Sequence, residues 1–165
     1  MSVLTLSRLR LADEVWIATA LLHREHPEKS DFSIEEIVER ARSEKLLGSM
    51  RPGLYVHVVQ HCVANRLRNP ARYRMLYESG EGRRRLFRRG DAYSPDREGG
   101  RITPNPADLP QGYSTLLQWY EEWSRAARQS ETADDELLLL AGSGKELWAD
   151  EHADDYVRRL REGWE

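Results

Sequence analysis

Apolar residues recur along this chain at two spacings, and the switch between them marks out its elements. From Leu11 to His26, Val15, Ala18 and Leu22 fall on a helical face beside Ile17 and Leu21, and Pro27 stops the pattern. Ser33 with Glu36 three residues later reads as a capping box, and Ile34, Ile37, Val38 and Ala41 form an apolar stripe behind it. Pro52 then sits where a first-turn proline belongs, so a third helix is expected from there to about Arg68. On a helical wheel Leu54, Tyr55, Val56, Val58, Val59, Cys62, Val63 and Leu67 fill one broad arc. The opposite arc carries His57, Gln60, His61, Asn65 and Arg68, with only Ala64 among them.

The spacing then falls to two. Tyr73, Met75 and Tyr77 alternate with Arg74 and Leu76, Ser79 to Gly82 supply a glycine-bearing turn, and Arg83 to Arg88 return, which predicts a β-hairpin. Proline, glycine and charge dominate Ser94 to Pro110, the composition of a linker or extended arm. Helical spacing resumes after Gly112, where Leu116, Leu117, Tyr120 and Trp123 make an aromatic stripe expected to pack on the preceding domain or on a second copy in a homodimer. Beyond Glu131 come a short apolar run at Leu137 to Leu140, a Gly-Ser-Gly break, an anchor at Leu147 and Trp148, and a last helix opened by Asp154 with Tyr156, Val157, Leu160 and Trp164 along one side. Small apolar pieces on a hinge suit a segment lying across a partner better than a self-contained core, the alternative being that they fold back on the N-terminal domain.

Taken together the elements predict a mainly α chain with a small β-hairpin: a winged helix-turn-helix domain over 1–93, a linker over 94–110, an aromatic-striped helix over 111–130 and a partner-binding tail over 131–165. The length of 165 residues and 39% hydrophobic content fit one domain with appendages. No run of about 18 apolar residues is present and the N-terminus lacks a secretory pattern, so a cytoplasmic protein away from membranes is expected. A single cysteine, Cys62, rules out an internal disulfide and any multi-cysteine zinc site.

Charge sharpens the picture by its distribution. The net charge of −3 conceals eleven arginines against four acids between Arg51 and Arg97, and eleven acids against four bases from Glu131 to Glu165. An all-arginine basic region suits bidentate phosphate and guanine contacts, while glutamine and asparagine on the third helix can pair with adenine. In a winged helix the third helix enters the major groove and the wing lies on phosphate or reaches the minor groove. Double-stranded DNA is therefore the expected partner, contacted by Arg51, His57, Gln60, His61, Asn65, Arg68, Arg72, Arg74, Arg83, Arg84, Arg85, Arg88 and Arg89. The plainer alternative for each feature is a solvated amphipathic helix and a solvated charged face.

Other constellations carry no chemistry. The stretch Leu140 to Trp148 suggests a phosphate loop, yet Leu139 stands where its first glycine belongs and Glu146 where its hydroxyl belongs. His57 and His61 have the spacing of a helical metal pair without a glutamate after the first or an evident third ligand. Asp150, Glu151, Asp154 and Asp155 around a helix start serve capping, and Cys62 lies on the apolar arc away from a base. No catalytic residue, metal or cofactor is expected, and the chain is not read as an enzyme.

The segments Arg51 to Asp91 and Leu109 to Trp123 resemble a prokaryotic family of winged-helix-like proteins, a likeness covering roughly Val15 to Trp123 that implies no activity. The end, LLLLAGSGKELWADEHADDYVRRLREGW, is similar to the toxin-binding tails of antitoxins paired with PIN-domain ribonucleases. That likeness implies an N-terminal DNA-binding domain repressing its own operon and a C-terminal segment covering the toxin groove. Its apolar anchors would be Leu147, Trp148, Tyr156, Val157, Leu160 and Trp164, and its basic plugs Arg158, Arg159 and Arg161. Such antitoxins usually carry a smaller dimerisation module than the domain expected here. A DNA-binding, antitoxin-like autorepressor is the leading expectation, against a protein interaction module or a nuclease or restriction component of a defence system.

Overall fold

The computed structural model describes residues 9–46, 51–68 and 70–143, with positions 158 and 161. Helix α1 (Leu11–Glu25) is buried on every side from Ala12 to His23, so it forms the centre of the fold rather than a surface layer. Its start is held by Asp13, whose carboxylate accepts the Arg10 backbone N–H at 3.0 Å. The expected capping box opens α2 (Ile34–Glu44): Ser33 Oγ accepts from Glu36 N at 3.1 Å, and the Glu36 carboxylate accepts from Ser33 N at 2.7 Å. Lys45 ends that helix in the left-handed region at φ 50°.

The hairpin is present as β2 (Leu76–Gly80) and β3 (Arg83–Leu86), with a bulge between Glu78 and Gly80. A third strand, absent from the sequence reading, is β1 (Phe32–Ser33), which pairs antiparallel with β3 through Phe32 opposite Arg84. The sheet order is β1-β3-β2, so the return strand is central. Two residues with an ordinary apolar-polar pair give no periodicity to detect, which is why this strand was not legible. The described fold is thus mixed, about half helical with a three-stranded antiparallel sheet, rather than helical with a lone hairpin.

The third helix is much shorter than expected. Gly53, at φ 92°, leads into α3 (Leu54–Val56), which continues as a π turn over His57–His61 and stops. Beyond it the backbone belongs to the sheet. Cys62 O accepts from the N–H groups of Met75 and Leu76, Val63 forms a bridge with Leu76, and Ala64 N donates to Leu76 O at 2.8 Å. The apolar arc divides accordingly: Leu54, Val58, Cys62 and Val63 are buried, whereas Tyr55, Val56 and Leu67 are 55%, 44% and 74% exposed.

The segment from Ser94 to Pro110, expected as a linker, is folded onto the body. It contains short 3-10 turns at Pro95–Arg97 and Pro106–Asp108, and it buries Arg97 and Leu109. Gly100 shows how tight that packing is, since a Cβ there would lie 1.6 Å from Arg72 O. Helix α4 (Thr115–Ser143) outruns the expected boundary near residue 130. Its Leu116 and Tyr120 are buried as the aromatic stripe implied, with Tyr120 packed edge-on to Trp16 at 5.7 Å and its hydroxyl donating to Phe87 O.

The core gathers Trp16, Ile17, Phe32, Ile37, Met75, Leu76, Leu86, Phe87, Leu116 and Tyr120. Each such large apolar side chain contributes about 1.5–3 kcal/mol relative to exposure, so α1, the sheet and the start of α4 are held by one cluster. Two compact units divide the chain, 1–122 and 123–165. Among the described residues no helix is long and apolar enough to cross a membrane.

Candidate nucleic-acid interface

The residues expected to meet DNA lie on α3, the segments flanking it and the hairpin, and the structure gives them three different situations. Two of the hairpin arginines, Arg84 and Arg85, are buried, and Arg83 and Arg89 are ion-paired with side chains 42% exposed. Arg83 grips Asp31, with Nε and Nη2 at 2.9 and 2.7 Å from Oδ1. Arg84 is buried, donating to Val58 O and Val59 O at 3.2 Å each and to Arg83 O at 2.8 Å. Arg85 forms a two-pronged pair with Asp91 at 2.7 and 2.9 Å and lies 4.3 Å over the Tyr77 ring. Arg88 is half-buried and its backbone N–H donates to Asp91, while Arg89 pairs with Glu121 at 2.7 Å.

The density of arginine in the hairpin was expected to serve phosphate contact. Within the fold, acids scattered along the chain at 31, 91 and 121 meet the hairpin arginines. The tip itself carries the exposed Ser79 and Glu81 and no arginine. Ser79 donates to Asp31 at 2.8 Å; burial opposes ionisation of Asp31, yet this bond and Arg83 outweigh it and hold its carboxyl below the usual range.

Three more expected contacts are tied to the body. Arg51 donates to Glu14 at 3.2 Å and to Leu9 O at 3.1 Å. Arg74 donates to Gly100 O at 3.1 Å and lies 4.4 Å over the Tyr93 ring. Asn65 clamps the backbone of Glu78, accepting its N–H at 2.8 Å and donating to its carbonyl at 3.0 Å, so its amide holds β2 against the end of α3. Beside it Arg66 pairs with Glu78, whose carboxyl this hydrogen bond holds low.

Asn65 is nonetheless exposed, and the rest of the expected set is His57, Gln60, His61, Arg68 and Arg72. His57 and His61, one turn apart on the π segment, meet edge-to-face at 4.7 Å, and His57 Nδ1 lies 2.9 Å from Gly53 O, a contact that places its proton on Nδ1. Burial, then the charges of His57 and Arg97, depress the pKa of His61 and so favour its neutral form. Gln60 is half-buried beside them, and Arg68 and Arg72 are exposed on the segment that follows. Among the described residues no group of three or more histidines, cysteines or carboxylates could hold a metal ion.

Arg97 was counted in the basic region without being assigned a role. It is wholly buried, and all five of its N–H donors end on backbone carbonyls: Arg66 and Tyr73 at 2.7 Å, His61 at 2.8 Å, Gln60 at 2.9 Å and Leu67 at 3.2 Å. No sequence signal separates such an arginine from a surface one, since its ligands are carbonyls that every residue carries. Of the tail residues assigned to a partner, Arg158 and Arg161 are helical and exposed. Leu147, Trp148, Tyr156, Val157, Arg159, Leu160 and Trp164 lie outside the described residues. No family model, curated protein or solved structure matches the chain.

Proposed function

We propose that this chain is a winged-helix regulator that binds double-stranded DNA, with a C-terminal tail that holds and neutralises a PIN-type ribonuclease in the manner of an antitoxin. The observation that carries the DNA-binding half is topological. The elements run α1-β1-α2-α3-β2-β3, and the sheet order is β1-β3-β2, which is the order a winged helix requires. In such a module the third helix and the hairpin share the DNA-facing side.

The contact surface supported here is narrower than the arginine count suggested. His57, Gln60 and His61 on the π turn are the candidate base readers, and the exposed Arg68 and Arg72 the candidate phosphate contacts. The hairpin arginines contribute by fixing the wing to the body. Support for the tail rests on its likeness to toxin-binding segments, with Arg158 and Arg161 offering exposed cations on a helix. The test is binding of the full chain to mixed-sequence duplex DNA across a salt series, together with capture of proteins from native cells by the parent and by Trp148→Ala/Trp164→Ala. Salt-dependent duplex binding, and loss of a small ribonuclease on tail substitution, are the expected results. Absence of duplex binding at low salt ends the DNA reading.

One observation favours a protein interaction module instead. Tyr55 and Val56 present apolar surface on α3, where a groove-reading helix usually carries polar groups. A partner retained after nuclease treatment and lost in Tyr55→Ser/Val56→Ser would establish that reading.

A further inference from the structure

We infer that Arg84 and Arg97 are positioning residues for the α3 surface, acting through the backbone carbonyls of residues 58–61 and meeting no partner themselves. The inference rests on the DNA-binding reading of that surface. The last four carbonyls of a helix have no intrahelical donor and must be satisfied from elsewhere. After Cys62 N–H bonds to His57 O and Val63 N–H bonds to Gln60 O at 3.1 Å, the carbonyls of Val58, Val59 and His61 remain. Arg84 takes those of Val58 and Val59, and Arg97 takes that of His61 and shares the Gln60 carbonyl with Val63 N–H. Two guanidinium groups from distant segments thus share the helix end between them.

This explains why α3 closes as a π turn where its sequence would continue as a helix. A π turn re-aims the side chains it carries and recurs at functional sites. Here it brings the His57 and His61 rings into edge contact with Gln60 on the same turn. Both arginines are buried, so neither reaches a phosphate without unfolding the turn. What they supply is geometry: a planar fork of five donors spans carbonyls that the single nitrogen of lysine cannot. Burial lowers the pKa of both, and their charge complements the negative end of the turn.

Lysine variants separate charge from geometry. Arg97→Lys and Arg84→Lys are compared with the parent in selection from a randomised duplex pool and in a salt series on one mixed-sequence duplex. The NMR contact between the His57 and His61 rings is followed in parallel. For positioning residues, each variant keeps the parent's salt slope, loses the ring contact and loses about tenfold of the enrichment of preferred sequences, the size of one misdirected base contact. A slope reduced by about one with preference intact means that the arginine touches phosphate, and overturns the inference. Parent-like selection and ring contact overturn it equally. If the parent binds no duplex, the DNA reading has failed, and the ring contact alone then decides whether these arginines set the turn. Should Arg97→Lys fail to melt cooperatively, Arg84→Lys, which touches fewer carbonyls, carries the same comparison.

Discussion

His23 Nε2 accepts the backbone N–H of Leu86 at 3.2 Å, joining the last turns of the buried helix α1 to the end of the central strand β3. The ring packs edge-on to Phe32 at 4.9 Å, so one imidazole touches both β1 and β3. Protonation would remove its lone pair and place a cation near Arg85 and Arg88, with Asp31 opposing. Burial, then those two arginines, push the pKa down from 6.5 to about 3.

The pH dependence follows in sign. An unfolded histidine takes up its proton below about 6.5, whereas the folded one stays neutral to about 3. The unfolded chain therefore binds more protons across that window, and stability present above pH 6.5 falls as pH drops through it, by up to about 1.4 kcal/mol per pH unit. Urea unfolding at pH 7 and pH 5 is expected to show this loss in the parent. His23→Gln, less stable at pH 7, should be flatter between the two; equal slopes would show that His23 does not carry the effect.

Arg85 and Asp91 form a pair with little solvent access, their side chains 11% and 14% exposed. Removing the acid leaves a nearly buried guanidinium without its carboxylate, so Asp91→Ala is expected to lose about 3 kcal/mol. Asp31→Ala, facing the more exposed Arg83, should lose about 1 kcal/mol. Thermal melts of the two variants order the losses, and the reverse order would mean that Arg83 is the main wing anchor.

Gly100→Ala should be among the most damaging small substitutions, because its Cβ would collide with the Arg72 carbonyl and displace the turn that delivers Arg97. A loss of about 3–4 kcal/mol is expected. Gly82→Ala is the control: its φ of +67° is strained for alanine, yet nothing lies within 4 Å, so about 1 kcal/mol is expected. Similar losses in both would show that the 97–101 turn gives way easily.

Exposed and tied arginines should differ on DNA. Arg68→Gln/Arg72→Gln is expected to reduce the salt slope of duplex binding by about two with no change in melting temperature. Arg85→Gln should do the opposite, destabilising the fold and leaving the slope of the folded protein unchanged. A large slope change from Arg85→Gln alone would restore the wing as the phosphate contact.

Cys62 is the single cysteine and is fully buried, and burial pushes its thiol far above the ordinary range. Alkylation at neutral pH should occur only at the rate of unfolding, and should accelerate in denaturant in step with loss of helical circular dichroism. Rapid labelling without denaturant would mean that the α3 turn opens locally.

The first two helices, the Ser33 capping box, the hairpin turn and the burial of Leu116 and Tyr120 were legible in the sequence. Each rests on interactions among neighbours a few residues apart, or on a periodicity that one element imposes on its own residues. That is why Leu11 and Pro27 frame α1 closely and Gly82 marks its turn.

The sequence by itself determined a chain with helical segments, a hairpin and segregated charge. Only the tertiary structure decided what the charge does. Asp31 is 52 residues from Arg83, Glu121 is 32 from Arg89, and Arg97 is 37 from the Gln60 carbonyl it caps. Local pattern carries no record of such pairings. A guanidinium bound to a carboxylate across the fold, one bound to backbone carbonyls and one facing solvent read identically as arginine, and the carbonyls that Arg84 and Arg97 take at the end of α3 lie 25–37 residues from them in the chain.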